Sequence, residues 1–230
     1  MTANQNTTPD TNPPSAQDTG RDSVWTWDLS TFRDRTADPT PAPGGGSAAM
    51  VSAAIGTGLV LMALRVTLAK AKSDDESHDL QTLIGGGEEL MARISEFADT
   101  DIEAFDGFMA ALRLPKSTDE EKAARKAAMA DATIVATEVP LNAAAACLEG
   151  LDLAIRAEGL VGDMIVSDVG AGATLLHGAL QGVVLNVDVN TRGMKDAVAK
   201  ADYERSRSHL AETGAARNAT IAERMAARFA

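Results

Sequence analysis

The run Ala48–Leu64, AAMVSAAIGTGLVLMAL, holds 17 consecutive residues without a charge. That length touches the lower limit for a membrane span. Ala48, Ala49, Ser52, Ala53, Ala54, Gly56 and Thr57 keep its transfer energy modest, however, and no second run of comparable length has basic flanks to anchor it. A helix that is apolar on every side has to be covered by other protein. The stretch therefore predicts the central helix of an all-α bundle.

Working outward, Gly44-Gly45-Gly46-Ser47 opens this helix, which is expected to run to about Lys72. Upstream, Asp28 can cap a short helix, DLSTFRDRTA, and Pro39, Pro41 and Pro43 forbid its continuation. Downstream, Ser73 with Asp74, Asp75 and Glu76 starts a helix reaching Arg113, which Gly85-Gly86-Gly87 is expected to bend or interrupt. Leu114-Pro115 is a stop, and Ser117 to Glu121 reads as a capping-box start for a helix that Pro140 should kink. A second apolar helix spans about Met164 to Val189, and a charged amphipathic helix follows from Met194. No segment alternates with period two between hairpin turns. The expected fold is thus a bundle of about five to six helices. Small residues recur on both apolar helices, with Gly170, Gly172, Gly178 and Gly182 on the second. Two such helices in one chain of this size favour a homodimer that buries them.

The chain has 230 residues and a formal charge of -12, from 21 Lys and Arg against 33 Asp and Glu. Nucleic acid is not an expected partner, because binding a phosphate backbone needs clustered cations. Cys147 is the lone cysteine, and His78, His177 and His209 form no HExxH pattern. Neither a disulfide nor a zinc site is expected, and no metal is called for. Residues 1–22 are Thr, Asn, Pro and Asp with little apolar content and no signal-peptide core. They read as a disordered tail ahead of one helical domain over 23–230, in a cytoplasmic protein without membrane attachment.

On the third helix, Ile94, Phe97, Ala98, Phe105 and Phe108 share one apolar face, and Asp101 falls in the middle of it. A carboxylate facing a core is costly unless it is paired, bonded or protonated. Two accounts stand side by side: a bond to a neighbouring helix terminus or buried cation, and an acid/base or counter-charge for a cationic ligand. Asp99, Glu103 and Asp106 point elsewhere and read as solvated charges. Asp168 stands at the start of the second apolar helix, as cap or site residue. Asn186 and Asn190, four apart, share a face suited to a heterocycle's edge or to an interhelical bond. His177 reads as a core or interface residue. Gly44–Ser47 would converge backbone N–H groups at a helix N-terminus, without P-loop spacing.

Taken in order, these elements resemble the formimidoyltetrahydrofolate cyclodeaminase / methenyltetrahydrofolate cyclohydrolase family over about residues 26 to 200. The resemblance rests on P-x-P-G-G-G-S at 41–47, Asp101 with Ala104-Phe105, Leu114 to Glu121, Val139-Pro140-Leu141, Ser167-Asp168, and Asn186-Val187 with Asn190. It implies an all-helical homodimer that takes a reduced folate as substrate, with Asp101 as the catalytic aspartate. By the same resemblance Ser167 and Asp168 would orient water or the pterin, and Asn186 and Asn190 would read its edge. Gly44, Gly45, Gly46 and Ser47 would supply backbone contacts. The family's basic stretch G-K-K-x-Y is here Ala69-Lys70-Ala71-Lys72-Ser73, leaving Lys70 and Lys72 for substrate carboxylates. The expected reaction is hydrolysis of 5,10-methenyltetrahydrofolate to 10-formyltetrahydrofolate. Cyclodeamination of 5-formimidoyltetrahydrofolate is the alternative, and the altered basic stretch motivates a third, a non-catalytic folate-binding or assembly protein of the same fold.

Overall fold

A computed structural model describes residues 22–230, and every regular element among them is helical. The tail expected over residues 1–22 lies outside the described residues but for Asp22. A 3-10 turn, Val24–Thr26, precedes six helices: α1 Leu29–Ala37, α2 Gly45–Leu68, α3 Asp74–Arg113, α4 Asp119–Glu158, α5 Val166–Thr191 and α6 Ala197–Phe229.

Local chemistry sets these boundaries. Asp28 caps α1 by accepting from Thr31 N–H, and Ser73 caps α3 by accepting from Glu76 N–H. Thr118 and Glu121 form a reciprocal capping box at α4. The interruption allowed for at Gly85–Gly87 does not occur: α3 is continuous through the three glycines, and α4 is likewise one continuous helix with Pro140 inside it. Tertiary packing overrides propensity at Gly87, where a Cβ would press on Leu61 and Leu153, so the helix is held by close approach.

Short connections make α2 to α5 an up-down-up-down bundle, with α2 packed on α3 and α5, and α4 on α3 and α5. α6 closes over α4 and α5. Val60, Leu61, Leu64, Ile94, Leu151, Leu176, Leu180 and Val184 form the centre of the core. α2 and α5 are antiparallel and nearly touch. A Cβ on Gly172 would stand 2.5 Å from the Gly56 carbonyl oxygen, and one on Gly56 2.8 Å from that of Gly172. Backbone cannot yield as a side chain does, so these two glycines set the α2–α5 spacing. The apolar window of α2 is 61% buried within the bundle.

α3 and α4 hold 40 residues each, against 24 in α2 and 26 in α5. The longer pair therefore overhangs the end where α2 begins and α5 finishes. No residue of α4 before Thr137 is buried. That overhang, facing the Gly44–Gly46 turn, makes a cleft.

Candidate active site

The cleft has a volume of about 320 Å³. Pro41, Ala42 and Gly44–Gly46 line one side; Asp101, Ile102, Ala104, Phe105 and Phe108 of α3 line the next. α4 contributes Ala136, Val139 and Pro140, and α5 contributes Asn186, Val189 and Asn190. Asp101 is the one ionisable side chain among these lining residues.

Asp101 is half-buried, and both accounts of it hold at once. Gly44 is the N-cap of α2 and has no side chain to satisfy the exposed N–H groups of the first turn. Asp101 supplies the missing acceptor from α3, taking the Ser47 N–H at 3.0 Å on Oδ2. The same carboxylate takes the Asn186 side-chain amide at 3.4 Å on Oδ1 and opens onto the cleft. Burial pushes its pKa above the usual carboxylate range, while the Ser47 and Asn186 donors pull it back. The positive end of α2 acts in the same direction as those donors. Gly46 is required by space: a Cβ there would overlap the Asp101 carboxylate. The Ser47 hydroxyl beneath is buried without a hydrogen-bond partner.

Of the residues anticipated from sequence, Gly44, Gly45, Gly46, Asp101, Asn186 and Asn190 meet in this cleft, with Ser47 just behind it. Asn190 spends its amide N–H on the Ala136 carbonyl at 2.6 Å. Four others lie elsewhere in the chain. Ser167 and Asp168 occupy the first turn of α5, and 18 residues of helix put Asp168 about 27 Å along the axis from Asn186. Asp168 makes no cap bond, the cap position being Ile165. Lys70 and Lys72 are exposed past the far end of α2, about 36 Å of helix from Gly45. Within one chain these four cannot share a small ligand's reacting centre with Asp101.

The expectation for Asp99 is overturned. It accepts from Ser23 Oγ at 2.6 Å and from Val24 N–H at 2.8 Å, while Trp25 Nε1 donates to the Ser95 carbonyl at 2.9 Å. These bonds pin the N-terminal strap to α3 two residues from Asp101, and the strap leads through Pro39–Pro43 into the glycine turn. Sequence could not reveal it, because the partners are 75 and 76 positions apart. Phe105 and Phe108, on the apolar face of α3 expected to meet the core, instead wall the cleft, half-buried. Among the described residues no group of three His, Cys, Asp or Glu is placed to hold a metal ion.

Known proteins carry the same design. The Formiminotransferase-cyclodeaminase family model matches residues 28–209. A Methenyltetrahydrofolate cyclohydrolase of Methylorubrum extorquens is 40% identical over 190 residues, which is 81% of this chain and 90% of that protein. The Formimidoyltransferase-cyclodeaminase of Sus scrofa is 30% identical over 88% of this chain, which spans only 37% of the porcine protein. In fold, the crystal structure of formiminotetrahydrofolate cyclodeaminase from Thermotoga maritima superposes with a TM-score of 0.73 at 22% identity, covering 89% of this chain and 96% of that one. With the match running from the cap of α1 into α6, the chain belongs to the Formiminotransferase-cyclodeaminase family.

Proposed function

We propose that the cleft hydrolyses 5,10-methenyltetrahydrofolate to 10-formyltetrahydrofolate. The observation that carries this is a single half-buried carboxylate, Asp101, in a cleft whose lining has no other charge. The substrate's N5–C–N10 unit is an amidinium cation, which such a lining complements. Water adds to the bridging carbon and gives one proton to the Asp101 carboxylate. The C–N5 bond then breaks, the formyl group stays on N10, and Asp101 returns the proton to N5. The second proton of water is released to solvent, so the products are the neutral formyl compound and H⁺. The relative from Methylorubrum extorquens supports this reaction by its name and coverage.

Cyclodeamination of 5-formimidoyltetrahydrofolate is the second reading. The pKa of Asp101, held up by burial, favours it, since ammonia leaves only with a proton donor. The two are separated by assaying purified protein for loss of the methenyl chromophore and for ammonia from the formimino compound. Chromophore loss is expected to be the faster; neither activity, with folate still bound, would leave only the non-catalytic alternative.

We further propose a homodimer that completes the site. Ile55 is 49% exposed on α2, and Leu185 and Val189 are 58% and 61% exposed on α5, on helices with few charges. A two-fold axis perpendicular to these helices would set the Asp101 end of one copy against the Lys70, Lys72, Ser167 and Asp168 end of the other. Those lysines would then offer cations to the substrate's carboxylates, which the cleft lining lacks. Coexpressing Asp101→Asn with Asp168→Ala should restore about a quarter of wild-type activity from two poorly active chains, because half the dimers carry one intact site. Full activity in Asp168→Ala alone, or no rescue, would rule out the shared site. The burial of most of α2 within the bundle supports a soluble protein.

A further inference from the structure

Pro140 lies inside α4, where a proline has no N–H to give the carbonyl four residues earlier. That carbonyl belongs to Ala136, on the cleft wall. A helix-interior carbonyl deprived of its partner and turned toward a cleft needs another donor. It receives one from α5, 54 positions away: Asn190 Nδ2 at 2.6 Å. The bond fixes which end of the amide faces where, since only the NH₂ group can serve a carbonyl. Asn190 Oδ1 accepts no protein hydrogen bond and retains solvent access, on a residue that lines the cleft. Asn186 is oriented in the same way, its NH₂ given to Asp101.

We infer that Pro140 is a positioning residue for substrate: by freeing the Ala136 carbonyl it locks Asn190 with its oxygen toward the ligand, as an acceptor for the N–H donors of a pterin-like heterocycle. This rests on the folate reading above. Proline is the least favourable residue for a helix interior, and here it stands within a 40-residue helix, buried against the bundle.

The test is a double-mutant cycle between Pro140→Ala and Asn190→Ala, read by melting temperature and by steady-state kinetics on the methenyl compound. In Pro140→Ala the new N–H reclaims the Ala136 carbonyl and releases the amide. KM should rise about tenfold with kcat within about twofold, and the melting temperature should hold or increase. Asn190→Ala should raise KM similarly but lower the melting temperature, since it orphans the carbonyl. Combining the two should add little to KM and recover the lost melting temperature. Additive KM effects, or a double variant no more stable than Asn190→Ala, would overturn the link. Should Pro140→Ala unfold, Asn190→Asp serves instead. It keeps an acceptor but repels the carbonyl, and unchanged KM and stability there would equally refute the proposal. Wild-type protein that ignores the methenyl compound sinks the folate reading and this one together, whereas wild-type turnover with an additive cycle sinks this one alone.

Discussion

Asp101→Asn should lower turnover of the methenyl compound by about 10²–10⁴-fold, the range in which a positioned proton-transfer group contributes, while leaving the protein at least as stable as wild type. The two effects share one cause. Asp101 is held in the cleft by burial, which disfavours its charged form, and only the Ser47 N–H and the Asn186 amide offset that. Its folded pKa is raised above the ordinary carboxylate value. The linkage follows: this group favours the folded state fully below the unfolded pKa, and that contribution is lost as pH rises through the folded pKa. At neutral pH the ionised carboxylate is therefore a liability that asparagine, of the same shape and uncharged, removes. On the proposed reaction, function keeps it, as stability–activity trade-offs do elsewhere. The catalytic side is equally directional. A carboxylate that must accept a proton works only above its pKa, so wild-type activity should fall on the acid side at a pH above that expected for an exposed Asp. Chromophore decay across pH, with thermal unfolding of both proteins, checks all three statements. Near-wild-type turnover in the variant would remove Asp101 from the chemistry.

Periodicity on α3 was enough to single out Asp101, because a carboxylate among Ile94, Phe97, Ala98 and Phe105 breaks the pattern of one helix face. Helix existence and capping were legible for the same reason: Asp28, Ser73 and Thr118 act within three residues of themselves. What was not legible is which end of each helix meets which. Asn186 and Asp168 ride the same helix, yet only Asn186 reaches the cleft, and nothing local distinguishes them. Lys70 and Lys72 follow the most apolar helix as closely in sequence as Gly44–Ser47 open it, and the length of that single helix, about 36 Å, holds the two groups at opposite poles. Asp99 looked like any exposed acid beside Asp101, since its donors arrive from a strap more than seventy residues away. Pro140 was legible as a perturbation of α4, but its consequence is read on α5. Gly85–Gly87 misled in the other direction, as burial of Gly87 against Leu61 and Leu153 outweighs a helix penalty of about 1 kcal/mol per glycine.

Gly46→Ala should be the most damaging single methyl that can be added to this protein's cleft. The three glycines before Ser47 are not equivalent. A Cβ on Gly45 meets nothing within 4 Å, and one on Gly44 reaches only the Pro41 carbonyl oxygen at 3.5 Å. On Gly46 it would lie 2.7 Å from Asp101 Oδ2 and closer still to the rest of the carboxylate. Backbone conformation does not demand glycine here; none of the three has a left-handed φ. Alanine is moreover the better helix former in the first turn of α2, by about 0.5–1 kcal/mol. Local propensity therefore predicts a gain in stability, and the space around Asp101 predicts a loss of function. The conflict resolves by displacement of the carboxylate, which is the movable group. Ser47 N–H then loses its acceptor, and the reacting oxygen shifts by the order of an ångström, a misplacement that costs about 10²-fold in rate. Turnover should fall by that factor with a folded, helical protein, whereas Gly45→Ala should lose less than about tenfold, its methyl having open room. If Gly46→Ala instead retains wild-type kcat, the carboxylate need not sit on the α2 N-terminus to work, and the role given to that helix end in holding Asp101 would have to be abandoned.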